Sequence, residues 1–393
     1  MKSPWHLLLF VFLVANLICA CGFFQTAGSE NKPAVAESGT TSSTAAAVHP
    51  SASLPAPLPP AKAAPTAMSV KTAAPTKPFS PTIVKAFDIA KISGRKGVDG
   101  PILALPELVW TASYLGGLQA WDSQTGELKK SISSIKAIDY YDIQTEGSHL
   151  WVLASVKAGD SADTLFVLGL PSGKLIKKFT LASPREKDST YNLIPTRIGL
   201  SPARVWVDDM TIDTTTLKET HYKDGLPSEA RFAYDGQGWM WMNGGWCSGC
   251  GHDDWIVNAN DPTQWKDDQH SGMLNVSSLE QPLLLANGKI WFVQTEGPSF
   301  TKKYLVAYDP HKADQPVVHV EVNSKDKPFA SLMAADHQEL WIDSGKMLLY
   351  YSLADGNYLG SLPIGEDIKS IGFDGSYLWV SSLEAGLVKI AVP

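Results

Sequence analysis

From about residue 78 to residue 393, apolar and polar positions alternate with period two over short stretches, and turn residues break the stretches at regular intervals. The stretches are rich in Trp, Tyr, Val, Ile and Leu, and Gly and Asp separate them. Period two over four to eight residues is the mark of a β-strand, and nothing here has the 3.6-residue period of a long amphipathic helix. The strands come in sets of four. A short apolar strand often closes in Gly, as in "IDYYDIQTEG", "ARFAYDG", "PLLLANG" and "KSIGFDG". A second strand carries a tryptophan directly after an aliphatic or Met residue. A third runs into a turn with Asp or Gly, as in "LQAWDSQTG", "LFVLGLPSG" and "LLYYSLADG". A fourth alternates with polar residues: "ELKKSIS", "KLIKKFTL" and "VVHVEV".

The tryptophan strand recurs seven times, in "LVWTA", "HLWVL", "RVWVD", "WMWMN", "KIWFV", "ELWID" and "YLWVS". Its tryptophans are Trp110, Trp151, Trp206, Trp241, Trp291, Trp341 and Trp379, spaced 35 to 55 residues apart. About 40 to 50 residues per four-stranded unit is the period of a β-propeller blade. The pattern therefore predicts an all-β chain, a seven-bladed β-propeller of four-stranded blades, with strands a to d running outward in each. The last set lacks its fourth strand. "TIVKAFDIA" (residues 82–90) has the pattern of the missing one, so an N-terminal strand is expected to complete the last blade and close the ring.

"IGFDGSYLWVSSLEAGLVKI" resembles the repeat of YVTN-type and streptogramin-lyase-like propellers, and "LQAWDSQTGELKKS" is similar to that repeat and to the quinoprotein one. The resemblance covers most of residues 82–393 and implies the fold. It does not imply an activity, because propellers host binding proteins and enzymes alike. The lyase's catalytic His and Glu pattern is not matched residue by residue. His337 and Glu339 of "AADHQELW" fall at an a-to-b turn.

The first 77 residues read differently. Lys2 precedes an apolar run of 12 residues, Leu7 to Ile18, of signal-peptide length and too short to span a bilayer. The run ends in "ICAC", which resembles the lipobox of bacterial lipoproteins. The resemblance implies that residues 1–20 are a lipoprotein signal peptide and that Cys21 becomes the acylated N-terminus, inserted in the lipid bilayer of the cell envelope on the extracytoplasmic side. An ordinary secretory signal is the alternative. Residues 21–77 are dominated by Ala, Ser, Thr and Pro and hold too few apolar residues to form a core. They predict a disordered tether of roughly 40 Å root-mean-square reach. The domain is expected over residues 78–393.

Charge narrows the partners. The formal net charge is -7 and there is no basic run, which argues against nucleic acid. Phosphate loops, G-x-S-x-G and H-E-x-x-H are not found in the chain.

The candidate chemistry lies in "NGGWCSGCGHDDW", in the b–c connection of the fourth unit. In propellers these connections share a face with the d-to-a connections, around the mouth of the central channel. Enlarged connections at residues 157–163, 184–192 and 295–303 belong to the same rim. The c-type haem motif needs His directly after C-x-x-C, and Gly251 intervenes before His252. "WCSGC" is like a thioredoxin active site, but no helix follows to lower a cysteine pKa. Zinc would take Cys247, Cys250 and His252, with Asp253, Asp254 or His270 as a fourth ligand, and lacks a second ligand pair. The reading that the exported compartment favours is a Cys247–Cys250 disulfide with no cofactor. Trp246, His252, Asp253 and Asp254 would then form part of a ligand-binding rim, since aromatic residues beside carboxylates suit carbohydrate or peptide.

Two function classes follow. The first, favoured by the lack of a recognisable catalytic constellation, is a lipoprotein whose propeller binds an envelope protein, peptide or glycan. The second is a propeller enzyme of the lyase or quinoprotein-like kind. A redox or metal sensor built on the Cys247–Cys250 loop is a further alternative.

Overall fold

In a computed structural model the chain is all-β, and the described residues contain no helix. They are 80–87, 98–114, 116–157, 162–181, 197–207, 210–221, 231–245, 252–261, 263–264, 283–296, 302–311, 316–322 and 332–393. Of these, 243–245, 252–255 and 295–296 are described by backbone alone. The expected signal peptide, tether and Cys21 lie outside the described residues.

Strand β1 (Thr82–Phe87) precedes the first blade. Blade 1 is β2 (Ile102–Ala104), β3 (Leu108–Ser113), β4 (Gly117–Asp122) and β5 (Leu128–Ile132). Blade 2 is β6 (Asp139–Glu146), β7 (His149–Ser155), β8 (Thr164–Gly169) and β9 (Lys174–Thr180). Blade 3 is β10 (Gly199–Ser201), β11 (Arg204–Val207), β12 (Met210–Asp213) and β13 (Glu219–His221). Blade 4 shows β14 (Arg231–Tyr234), β15 (Trp239–Gly245) and β16 (His252–Asn258) among the described residues. Blade 5 is β17 (Leu284–Ala286), β18 (Lys289–Glu296), β19 (Lys302–Tyr308) and β20 (Val318–Glu321). Blade 6 is β21 (Met333–Ala335), β22 (Glu339–Asp343), β23 (Met347–Ser352) and β24 (Tyr358–Pro363). Blade 7 is β25 (Ile368–Phe373), β26 (Tyr377–Ser382) and β27 (Gly386–Ala391), and its outer strand is β1.

Each blade is an antiparallel meander. The ring closes as the sequence predicts, with β1 on β27 from Thr82 opposite Ala391 to Phe87 opposite Leu387. At this seam Phe87 stacks on Trp379, and the Ser381 hydroxyl donates to the Gly100 carbonyl of blade 1 at 3.2 Å. Buried Lys389 donates to the Ser123 carbonyl at 2.8 Å, with its ammonium 3.8 Å from the Tyr377 ring centre. Burial pushes the Lys389 pKa down.

The seven repeat tryptophans are the largest fully buried side chains. Each also packs against the next blade. Trp110 joins a cluster with Leu150 and Phe166 of blade 2, Trp206 one with Met240 and Val257 of blade 4, and Trp379 one with Val109 and Trp121 of blade 1. Every blade thus wedges one indole into the next, and seven apolar clusters link the ring. Truncating such an indole to Ala costs about 3–5 kcal/mol. The middle strands depart from the alternation the sequence suggests. β22 and most of β7 and β8 are buried at successive positions, because neighbouring blades cover both faces. Alternation survives on outer strands such as β5, where one face meets solvent.

Candidate functional site at the mouth of the central channel

The inner strands of all seven blades enclose a cavity of about 310 Å³. Its depth can be read from the a–b pairing. In each blade one inner-strand residue lies opposite the repeat tryptophan, for example Gln144 opposite Trp151, Gly199 opposite Trp206 and Ala233 opposite Trp241. The lining runs from two residues before that level to one after it. The cavity is therefore displaced toward the starts of the inner strands, the end where d-to-a connections enter.

Nine of the fifteen lining residues are apolar, including Ile102, Leu200, Leu284, Met333 and Ile371. The polar lining is Asp142, Gln144, Arg197, Arg231, Tyr234 and Ser370. Asp142 is buried, and its partners are all uncharged. It accepts from the Ile143 amide at 2.8 Å, the Ile198 amide of blade 3 at 2.8 Å and the Gln144 side chain at 3.2 Å. Ser370 accepts from the Ile102 amide across the seam at 3.2 Å. Arg197 and Arg231 are half-buried. Among the described residues, Arg197 has no hydrogen-bond or ion-pair partner. An arrangement of guanidinium donors, an oriented carboxylate and apolar wall can hold an anionic ligand by charge-assisted hydrogen bonds.

The b–c hairpin of blade 4 stands on the same face. β15 and β16 pair from Trp239 opposite Asn258 up to Gly245 opposite His252, so residues 246–251 connect them. Arg231 lies opposite Asn243, which lies opposite Asp254. The pairing continues two residues past Arg231, so the hairpin extends beyond the mouth of the cavity. Trp246, Cys247 and Cys250 lie outside the described residues. For His252, Asp253 and Asp254 only the backbone is described, in β16. The connection at 157–163 joins β7 to β8 on this face, and the one expected at 184–192 lies outside the described residues. The one expected at 295–303 is tighter, because Thr295 and Glu296 still pair with Lys303 and Lys302.

His337 and Glu339 lie at the a–b turn of blade 6, on the opposite face. His337 contacts the Gly375 carbonyl at 3.3 Å and meets the Phe373 ring edge-on, so it joins blades 6 and 7. Glu339 is buried, and burial first, then the neighbouring Asp336, pushes its pKa up to about 7. Among the described residues no group of three His, Cys, Asp or Glu is placed to hold a metal. The arginines are what a reading of the sequence misses. The available signal is an Arg opening the inner strand in two successive units, "TRIGLS" and "ARFAYDG".

Fold and register together define the class: a seven-bladed β-propeller with a ring-closing N-terminal strand and a channel open on its b–c face. No protein-family model matches the chain, and no curated protein matches it. Solved structures similar to it share the fold at low identity. Hydrazine synthase of Kuenenia stuttgartiensis is 12% identical, with 75% of this chain and 96% of that one covered at a TM-score of 0.58. A catalytically inactive virginiamycin B lyase of Staphylococcus aureus, with quinupristin, is 13% identical, with 80% and 100% covered at 0.57. The Cps50 (Swd1) propeller domain of Myceliophteria thermophila is 11% identical, with 76% and 98% covered at 0.56. The diversity of these proteins fits a fold that hosts many functions.

Proposed function

We propose that the protein is an extracytoplasmic lipoprotein, anchored in a bacterial membrane through acylated Cys21, whose propeller binds a protein, peptide or glycan of the cell envelope at the channel face. The observation that carries this reading is the coincidence of the cavity and the projecting blade 4 hairpin on one face. Loops held by a rigid scaffold around a concave site are a common place for ligands. In this reading a Cys247–Cys250 bridge stiffens the hairpin, so that Trp246, His252, Asp253 and Asp254 meet the ligand without first being ordered.

The test uses the full-length protein from a bacterial host. Intact mass should show acyl chains on Cys21, and Cys21→Ala should leave the membrane fraction or remain unprocessed. A ligand selected from defined arrays of envelope peptides and glycans should slow amide exchange in β10, β14 and the 246–251 hairpin. It should leave the a–b turns at 336–338 and 374–376 unchanged. Protection confined to those turns would overturn the binding face, and an unacylated, soluble parent would overturn the anchor.

A further inference from the structure

We propose that the channel mouth recognises a monoanionic carboxylate carried on an apolar or aromatic body. This rests on the channel face being the binding face, and adds the chemistry of what enters it. Asp142, Arg197 and Arg231 belong to blades 2, 3 and 4, and each stands two residues before the inner-strand residue opposite its blade's tryptophan. Three successive blades thus place their charged residues at one level, as one arc of the wall. The facing arc, from blades 5 and 6, is apolar and includes Leu284 and Met333. Phe232 adds an aromatic surface next to Arg231. The cavity is charged on one side and greasy on the other, which is the shape of an amphipathic small ligand.

The charge balance selects the anion. Arg231 already has a partner of its own, so the guanidinium the lining offers is that of Arg197, and its single positive charge matches a monoanion. Asp142 already has three donors, so it does not need an arginine. Arg197 has its planar fork of N–H donors to offer, a geometry that matches a carboxylate bidentately. A phosphate monoester, with nearly twice the charge, would face repulsion from Asp142 and shed more hydration against an apolar wall. About 310 Å³ is the small end of ligand pockets, enough for a small acid or for the C-terminal residue of a peptide.

Titration calorimetry of the full-length protein tests this with 3-phenylpropionate, its neutral amide, phenyl phosphate, and a tetrapeptide ending in Phe with a free or an amidated C-terminus. The free acids should bind at least tenfold tighter than their amides, and tighter than phenyl phosphate. Arg197→Gln should weaken the acids roughly ten- to a hundredfold, the loss expected for charge-assisted hydrogen bonds, and leave the amides unchanged. Arg197→Lys, which keeps the charge and loses the fork, should fall between, and melting curves of both variants should overlay the parent. Whichever free acid binds more tightly, small molecule or peptide terminus, identifies the source of the carboxylate. Equal binding of acid and amide, preference for phenyl phosphate, or indifference to Arg197→Gln each overturns the proposal. Any of those results, with an envelope ligand still protecting the mouth, removes the carboxylate chemistry and leaves the binding face in place. Carboxylate binding with no envelope ligand protecting that face does the reverse.

Discussion

Glu339 opens β22 with its carboxyl buried and its Oε2 without a hydrogen-bond partner. The nearby Asp336 carboxylate is fully used, by the Gln338 and Glu339 amides and by the Trp341 indole at 2.8 Å. A charged Glu339 would be buried beside a second negative charge, which is why its pKa rises to about 7 from an ordinary 4.5. The folded state therefore holds a proton that the unfolded chain releases. The contribution of this group to stability is full below about pH 4.5 and is lost as pH rises through about 7, by up to about 3 kcal/mol once both states are ionised. Glu339→Gln should remove this decline. Urea unfolding at pH 5 and pH 8 should show the variant gaining on the parent at the higher pH. An equal difference at both would mean that the carboxyl is not buried as described. Asp336 also shows how indole N–H groups are satisfied. Trp379 uses Asp374 and Trp206 uses Ser201, in each case five residues upstream. The indoles of Trp110, Trp151 and Trp241 have no such partner.

At the scale of elements, the c–d turns repeat a joint between blades. The Gly126, Gly173, Leu217 and Gly356 amides each donate to the carbonyl four residues earlier, and all four residues have positive φ. An outer-strand lysine of the preceding blade donates to three of these turns: Lys85 to the Thr125 carbonyl, Lys130 to Pro171 and Lys177 to Leu217. Glycine is required here by contact as well as by backbone. A Cβ on Gly126 would come within 1.8 Å of the Phe87 ring at the closing seam. Leu217 keeps a side chain because it packs against the blade 2–3 cluster. Gly126→Ala should cost about 2–4 kcal/mol, through strained backbone and displaced Phe87. Gly147→Ala, also at positive φ but with open space around it, should cost only about 1 kcal/mol. Thermal melts of the two variants measure the difference, and equal losses would show that Phe87 does not press on the turn.

For the whole molecule, the ring is held by seven similar interfaces, and its weak place is the seam where the chain's two ends meet. There β1, Lys389 and the Phe87–Trp379 stack do the joining. Deleting residues 82–87 should lower the melting temperature of the propeller as a single transition, because blade 7 loses its outer strand and blade 1 loses Phe87 from a shared cluster. Deleting residues 22–77, whose composition offers no core, should leave that transition within a degree or two. Calorimetry of both deletion variants decides it, and equal effects would contradict closure by β1.

The seven tryptophans, the order of strands around them, the closing role of residues 82–87 and the a–b position of His337 and Glu339 were all legible in the sequence. They depend on strand period and turn chemistry, which act between near neighbours. The packing direction of each indole was not legible, because an alternating strand looks the same whether its apolar residues face their own blade or the next. Nor was the grouping of Asp142, Arg197 and Arg231. Each looks like an ordinary polar residue near a strand end, and whole blades separate them along the chain. They share one arc because the pairing of each inner strand with its tryptophan strand sets a level, and circular closure aligns those levels around a common axis. That alignment is a long-range property of the ring, so tertiary structure alone decided it.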